Sequence, residues 1–447
     1  MSLQSLIDKP SELLEYINEC LKPKTEEKKQ FGEVFTPMKL VNEMLDKLDE
    51  CYMKEHNKSI FEIRDFKWFD PANGMGNFLI GVYMRLIQHH DKKHILENML
   101  YSSELNKKNN FIYRQIMNFE NDYSLNMNEG NTLELDIKAK WNLDGFDVIV
   151  GNPPYNEELT KTGAKPLYNK FIEQFINKCD LLYFIVPSRW FAGGKGLDKF
   201  REMMLNRKDI VYISHFDDAS KIFGSLVDIK GGVNYFLINR SYNGLCEYNG
   251  SIVQLNKYDI MVNSKYYDLI DKIMKYDNIT KYYISQDHYK IQTNDNRLIE
   301  NQQEYYLKCY VSQQKGFVRF INKADIKKPY KFHKVITARA AFEAKSGFGN
   351  TFIGDVDDIH TKSYISFNFN TKKEAISFLS YLKCKLPNFM LSLRKITQDI
   401  SENTCKWIPL PPLDQEWTDD LVYEYFKLND TEIDIIKHSK IIGFKDN

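Results

Sequence analysis

Asn152-Pro153-Pro154-Tyr155 is the stretch of this chain whose residue types point most directly to chemistry. It follows an apolar run from Phe146 to Gly151, so a buried strand delivers it to a sheet edge. Consecutive prolines fix φ and remove two N–H donors, which leaves rigid carbonyls at the turn without a local donor. The side-chain oxygen of Asn152 and the carbonyl of Pro153 are then two acceptors held close together. An exocyclic amine presents two N–H donors. Accepting both draws the nitrogen lone pair out of ring conjugation and aims it at an electrophile, and fixed acceptors are preorganised for the charge that develops there. Tyr155 adds a flat face on which a base can stack. The plain alternative is a structural proline turn.

A second constellation is WFDPANGMGNFLIG, Trp68 to Gly81. A strand ends at Asp70, and Gly74 and Gly76 turn the chain tightly into a helix, where glycine lets backbone N–H groups approach a ligand. The spacing lacks the third glycine of the dinucleotide fingerprint. Glu104 ends the next apolar strand, LYSSE, and a carboxylate there can accept both ribose hydroxyls of a nucleoside. Taken alone, Glu104 is more often a surface acid at a strand end; its pairing with the glycine turn shifts the balance toward a ligand.

The elements that must position these residues alternate. Leu40, Val41, Met44, Leu45 and Leu48 have helical spacing, and Leu79 to Ile87 and Asn169 to Lys178 read as further helices. FDVIVGN and LLYFIVP read as buried strands, the second stopped by Pro187. Alternation of this kind predicts an α/β fold, a doubly wound, mostly parallel sheet covered by helices, with ligands at the carboxyl ends of the strands. After about residue 250 the pattern loosens. The expected division is a helical extension at 1–30, a catalytic domain at 31–250, an α+β domain at 251–410 and a helical tail at 411–447.

Formal net charge is +0, which argues weakly against nucleic acid. Its distribution does not: residues 1–150 carry 19 basic and 25 acidic side chains, whereas residues 308–350 carry 10 and 2. Lys315, Arg319, Lys327, Lys328, Lys331 and Arg339 lie in that basic, aromatic-laced segment and are candidates for phosphate contact, with arginine also able to read guanine edges. A solvated face is the alternative. His333 has no partner at metal-ligand spacing, and the 7 Cys form no CxxC pair, so no metal site is expected and a cytoplasmic setting fits. No apolar stretch is long enough to span a bilayer, and the N-terminus lacks a secretory pattern, so no membrane association is expected.

In the order of its motifs the chain resembles the amino-methyltransferases of DNA, with cofactor motifs first, NPPY second and target recognition last. EVFTP (33–37), FDPANGMGNF, Glu104, GNTL (130–133), NPPY, PLYNKFIEQFI (166–176), IVPSRW (185–190) and FGSLVDIKGGVNYFLINR (223–240) carry the likeness, over about residues 30–240. It is nearest to modification methylases of restriction systems. The resemblance implies the class I fold of enzymes that use S-adenosylmethionine, followed by a target-recognition domain. It implies that Thr36, Pro37, Asp70, Ala72, Gly74, Gly76, Glu104, Asn131, Thr132 and Phe171 surround the cofactor, with Asn131 standing where many relatives have Asp. It further implies that Asn152, Pro153, Pro154 and Tyr155 act on the target, and that Phe223 stacks on the base opposite Tyr155.

The activity expected from the resemblance is methylation of the N6 amine of a flipped adenine in double-stranded DNA, with a separately encoded restriction endonuclease as a possible partner. Cytosine N4, RNA and protein glutamine remain open as targets, since each offers a planar nitrogen. A DNA-binding specificity subunit with a dead methylase site is the reading from another class.

Overall fold

The structure is a computed structural model that describes residues 12–13, 36–157, 165–194, 196–224, 229, 231–312, 317–340, 347–395 and 399–441. Residues 33–35, Lys315 and nearly all of the 1–30 extension lie outside that set. The chain divides into two compact units, Met1–Met261 and Val262–Asn447.

The first unit is built on one nine-stranded sheet: β1 (Trp68–Asp70), β2 (Leu100–Glu104), β3 (Asn126–Glu129), β4 (Phe146–Gly151), β5 (Cys179–Pro187), β6 (Ile210–Phe216), β7 (Val233–Asn239), β8 (Cys246–Tyr248) and β9 (Ser251–Val253). Their spatial order is β3-β2-β1-β4-β5-β7-β6-β8-β9. The strands from β3 to β5 are parallel. β7 runs antiparallel to both β5 and β6, and the β8–β9 hairpin extends the edge. Strand order reverses between β1 and β4, and that switch point is where an open α/β sheet leaves a crevice.

Neighbouring side chains in a strand face opposite ways, and β1 shows it. Trp68 stacks on Phe61 at 5.3 Å, inside the core that also takes up α1 (Met38–His56) and α2 (Asn77–Leu86). Phe69 turns to the other face, stacking on Phe146 at 4.4 Å and meeting Phe175 edge-on at 5.5 Å. Phe175 belongs to a helix spanning Tyr168–Phe175. Apolar residues on both sides of so short a strand fix its register, and so fix where Asp70 emerges.

The second unit contains an antiparallel sheet of β10 (Tyr283–Ile284), β13 (His333–Ala338), β14 (Thr351–Gly354) and β16 (Tyr364–Phe369), in the order β10-β16-β13-β14. A smaller sheet joins β11 (Tyr306–Tyr310), β12 (Val318–Asn322) and β15 (Ile359–His360), with β11 in the middle. Leu307, Cys309, Ile321 and Ile359 line its buried face. Helices Asp419–Tyr425 and Asp430–His438 belong to the same unit, where Lys385 Nζ donates to the carbonyl of Lys437 at 2.6 Å. No helix among the described residues is long and apolar enough to cross a membrane.

Candidate active site

Asp70, Glu104 and Asn152 stand at or just past the carboxyl ends of β1, β2 and β4, which are neighbours in the sheet. Glu104 shapes the glycine turn of the adjacent strand. Its carboxylate accepts from Gly74 N at 2.8 Å and from Asn106 N at 2.6 Å. Gly76 takes φ +99°, and a Cβ there would sit 2.2 Å from a ring carbon of Tyr113. The turn is thus closed against a buried ring behind it, and α2 starts directly from it.

β4 approaches the same place from the other side. A Cβ on Gly151 would lie 2.6 Å from Asp70 Oδ1, so only glycine lets the strand end reach the carboxyl. One residue on, Asn152 Nδ2 donates to Thr36 Oγ1 at 3.1 Å, while the Thr36 carbonyl accepts from Asn77 Nδ2 at 2.9 Å. Thr36, Asn77 and Asn152 therefore form one connected group. Tyr155 is buried, its hydroxyl lies beside the Asn152 side chain, and burial pushes its pKa up. The chain beyond it is pinned by an Asn156–Pro166 bridge and by Leu167 N donating to the Tyr155 carbonyl at 3.0 Å.

Burial, with a smaller contribution from the Glu104 carboxylate, pushes the Asp70 carboxyl up to about 8. The folded chain then holds this proton more tightly than the unfolded one, whose Asp pKa is about 3.9. The stability Asp70 contributes is full below the unfolded pKa and is lost as pH rises through about 8. Asp70→Asn keeps an acceptor for Ala72 N, which Asp70 Oδ1 engages at 2.9 Å, and has no proton to lose. Its melting temperature is expected to fall less steeply than the wild type's across roughly pH 5 to 9. Parallel melting curves against pH would contradict this.

The remaining predicted residues divide. Thr132 is buried and fully engaged: Asn128 Nδ2 donates to Ser103 Oγ at 2.9 Å, Ser103 Oγ and Thr132 Oγ1 are 2.7 Å apart, and Thr132 Oγ1 donates to the Pro71 carbonyl at 2.6 Å. That relay ties the ends of β1, β2 and β3 together. Asn131 is exposed and caps the short helix after it, accepting from Leu133 N at 3.1 Å and donating to Glu134 at 2.7 Å. Phe171 is buried in the Tyr168–Phe175 helix, whose Gln174 donates to the Thr132 carbonyl at 3.2 Å. Phe223 ends the short Ser220–Phe223 helix, partly buried against the core. Pro37, Pro153 and Pro154 flank the Thr36–Asn152 contact in sequence, and Ala72 follows Asp70 in the turn.

Two features were not singled out from sequence. Leu105, directly after Glu104, leaves 60% of its surface exposed and offers an apolar face beside that carboxylate. Asn73 is buried in the glycine turn with neither side-chain polar atom hydrogen-bonded among the described residues. An apolar residue just past a strand-end acid was the available signal for Leu105; Asn73 had none.

The glycine turn, the strand-end carboxylate, the apolar Leu105 and the unsatisfied amide of Asn73 suit a nucleoside with a polar, charged tail, and so fit S-adenosylmethionine. Glu104→Ala is expected to weaken binding of that cofactor by roughly 10- to 100-fold, since a hydrogen bond to a charged group is worth ~1.5–3 kcal/mol. Calorimetry checks it, and an unchanged dissociation constant removes Glu104 from the site.

In the second unit, Lys327, Lys328 and Lys331 are exposed between β12 and β13. Arg319 lies 3.2 Å from Glu300 and Arg339 lies 3.5 Å from Asp399, so both already have carboxylate partners.

Residues 80–223 match the family described as Eco57I restriction-modification methylase. A Mycoplasma pneumoniae protein described as an uncharacterized adenine-specific methylase is 23% identical, over 47% of this chain and 68% of its own length. Among solved structures, a nuclease-deletion mutant of the Type ISP restriction-modification enzyme LlaGI, in complex with a DNA substrate mimic, gives a TM-score of 0.56 at 12% identity, covering 90% of this chain and 47% of that one. The DrdV–DNA complex gives 0.52 at 14% identity, covering 90% and 58%. The chain thus spans about half the length of these two solved relatives, and the likeness to them is one of fold. In sequence and in fold, the chain is similar to the restriction-modification methylases.

Proposed function

We propose that the protein is a site-specific DNA methyltransferase that transfers a methyl group from S-adenosylmethionine to the N6 amine of adenine, within a restriction-modification system. The observation that carries this reading is the meeting of two motifs at the sheet's switch point: β4 touches Asp70 at Gly151 and presents Asn152 one residue later. The matches to a restriction-modification methylase family and to an adenine-specific methylase support the same chemistry.

When bound, S-adenosylmethionine supplies an activated methyl carbon on a positively charged sulfur. The chain supplies alignment. Thr36 Oγ1 holds the Asn152 amide nitrogen, which fixes where its oxygen points. That oxygen and the Pro153 carbonyl would accept the two N–H groups of the target amine and so orient its lone pair toward the methyl donor. The amine nitrogen would gain the methyl group and lose one proton, which would leave to solvent. An adenine amine is paired inside a duplex, so the base must swing out to reach this group. Tyr155 and Phe223 are the two faces between which it would stack. Glu104, which keeps the glycine turn in shape, would hold the ribose of the cofactor.

The test is to incubate plasmid DNA with protein and S-adenosylmethionine and to analyse the nucleosides by mass spectrometry. N6-methyladenine at a defined sequence is the expected product. N4-methylcytosine, methylation of RNA alone, or cofactor binding without any transfer would overturn the reading.

A further inference from the structure

A surface of the second unit carries features that methyl transfer does not use. Tyr305, immediately before β11, has φ +69° and leaves 68% of its surface in solvent. For a bulky L-residue the left-handed region brings Cβ against the following carbonyl and is disfavoured, whereas glycine adopts it freely. The conformation is nonetheless held, because the Tyr305 carbonyl accepts from Lys323 N at 2.9 Å and Tyr306 N donates to the Gln303 carbonyl at 3.2 Å. A strained backbone carrying an aromatic ring that is not buried is the kind of outlier that marks a working position.

The residue bonded to Tyr305 opens a basic loop. Lys323, Lys327, Lys328 and Lys331 are all exposed, and none makes an ion pair with another described residue. The loop backbone is firmly anchored. Ile326 and Tyr330 pack on the core of the three-stranded sheet. Lys334, fully buried, donates from Nζ to the carbonyls of Tyr330, Phe332 at 2.8 Å and Val356 at 2.7 Å. The His288 ring lies 3.3 Å from the Pro329 carbonyl. Four ammonium groups are therefore presented from a fixed frame. Asp325 lies within the loop and Glu304 just before Tyr305, while Asp355 and Asp357 are exposed on either side of Val356, whose carbonyl Lys334 engages.

We infer that Tyr305 and the lysines of the 323–331 loop form one contact surface for duplex DNA, in which the ammonium groups neutralise phosphates and the Tyr305 ring stacks against an opened base step. This rests on the methyltransferase reading, which makes duplex DNA the substrate. Fixed cations suit a polyanion of regular spacing. A preset aromatic ring suits a base face, because little side-chain freedom is lost on stacking. Arg319 and Arg339, engaged with Glu300 and Asp399, stand outside this surface.

The test uses the full chain and short random-sequence DNA duplexes, titrated at several salt concentrations. A Lys327→Ala, Lys328→Ala, Lys331→Ala variant is expected to flatten the slope of log affinity against log salt by about 0.9 for each phosphate that is no longer neutralised. Tyr305→Gly is expected to weaken duplex binding about 5- to 100-fold, yet to melt no lower than the wild type, because glycine relieves the backbone. Tyr305→Phe should bind as the wild type does. S-adenosylmethionine affinity should be unchanged in all three. Wild-type affinity and slope in the lysine and glycine variants, with plasmid methylation intact, would overturn this surface and leave the methyltransferase reading standing. A Tyr305→Gly variant that loses melting temperature along with binding would reduce Tyr305 to a structural role and overturn the stacking assignment. A wild-type chain that neither binds duplex nor methylates plasmid would overturn both.

Discussion

Asn152→Ala is expected to bind S-adenosylmethionine within a few-fold of the wild type and to transfer methyl groups about 10²- to 10³-fold more slowly, the usual loss when one preorganised acceptor or donor of a reacting group is removed. The expectation follows from the geometry of a single side chain. Asn152 Nδ2 is held by Thr36 Oγ1 at 3.1 Å, and Thr36 is held in turn through its carbonyl by Asn77 at 2.9 Å. The amide oxygen is oriented before substrate arrives, so little reorganisation is needed as charge builds on the amine. Alanine removes that acceptor and leaves the Pro153 carbonyl alone. Thr36→Val is the companion variant: it retains Asn152 but releases its orientation, and an intermediate loss is expected. Single-turnover transfer, measured with saturating cofactor, separates the chemical step from binding. Near-normal rates for Asn152→Ala would remove the tetrapeptide from the reaction.

Gly76→Ala is expected to damage both folding and cofactor binding. The added methyl would lie 2.2 Å from the Tyr113 ring, which is buried and has little room to retreat. Overpacking of this kind costs ~1–3 kcal/mol. A side chain at φ +99° adds ~1–2 kcal/mol. For a unit of this size the two together correspond to a melting temperature lower by roughly 5–15 °C. The turn must shift to relieve the clash, and Gly74 N then loses its 2.8 Å bond to Glu104, so cofactor affinity falls as well. Tyr113→Ala should cost less stability in the Gly76→Ala background than in the wild type, because the two substitutions act at one shared point of packing. Additive effects would show that the clash is not the cause.

Much of the sheet was legible because its signals are local. Phe146–Gly151 and Cys179–Pro187 are apolar runs closed by glycine or proline, and both are strands in the central sheet. Met38–His56 announces itself by the spacing of Val41, Met44, Leu45 and Leu48. What escaped depends on residues far apart in the chain. Nothing in VNYFLIN indicates that β7 runs against its neighbours, since strand direction is set by the connections on either side. The resemblance implies that Thr132 edges the cofactor's adenine, but nothing in the sequence shows that its hydroxyl is engaged by Ser103 and Pro71, which are brought to it only by the parallel pairing of β1 and β2. In the basic segment, sequence counts charges but not their partners. Lys334 looks like its neighbours and is buried under three carbonyls, whereas Lys327, Lys328 and Lys331 are exposed.

The position of β7 also has a consequence for how the chain is made. β6 is synthesised before β7, yet it has no place in the sheet without it, because β7 lies between β6 and β5. While the ribosome is still short of Val233, the finished β5 is an open edge and β6 is an unpaired strand of mixed polarity. Open edges invite pairing with other chains, and parallel sheets with distant partners fold slowly. A released chain ending between residues 216 and 233 would carry both the open edge of β5 and an unpaired β6, and a chain reaching past Asn239 fills that gap from within.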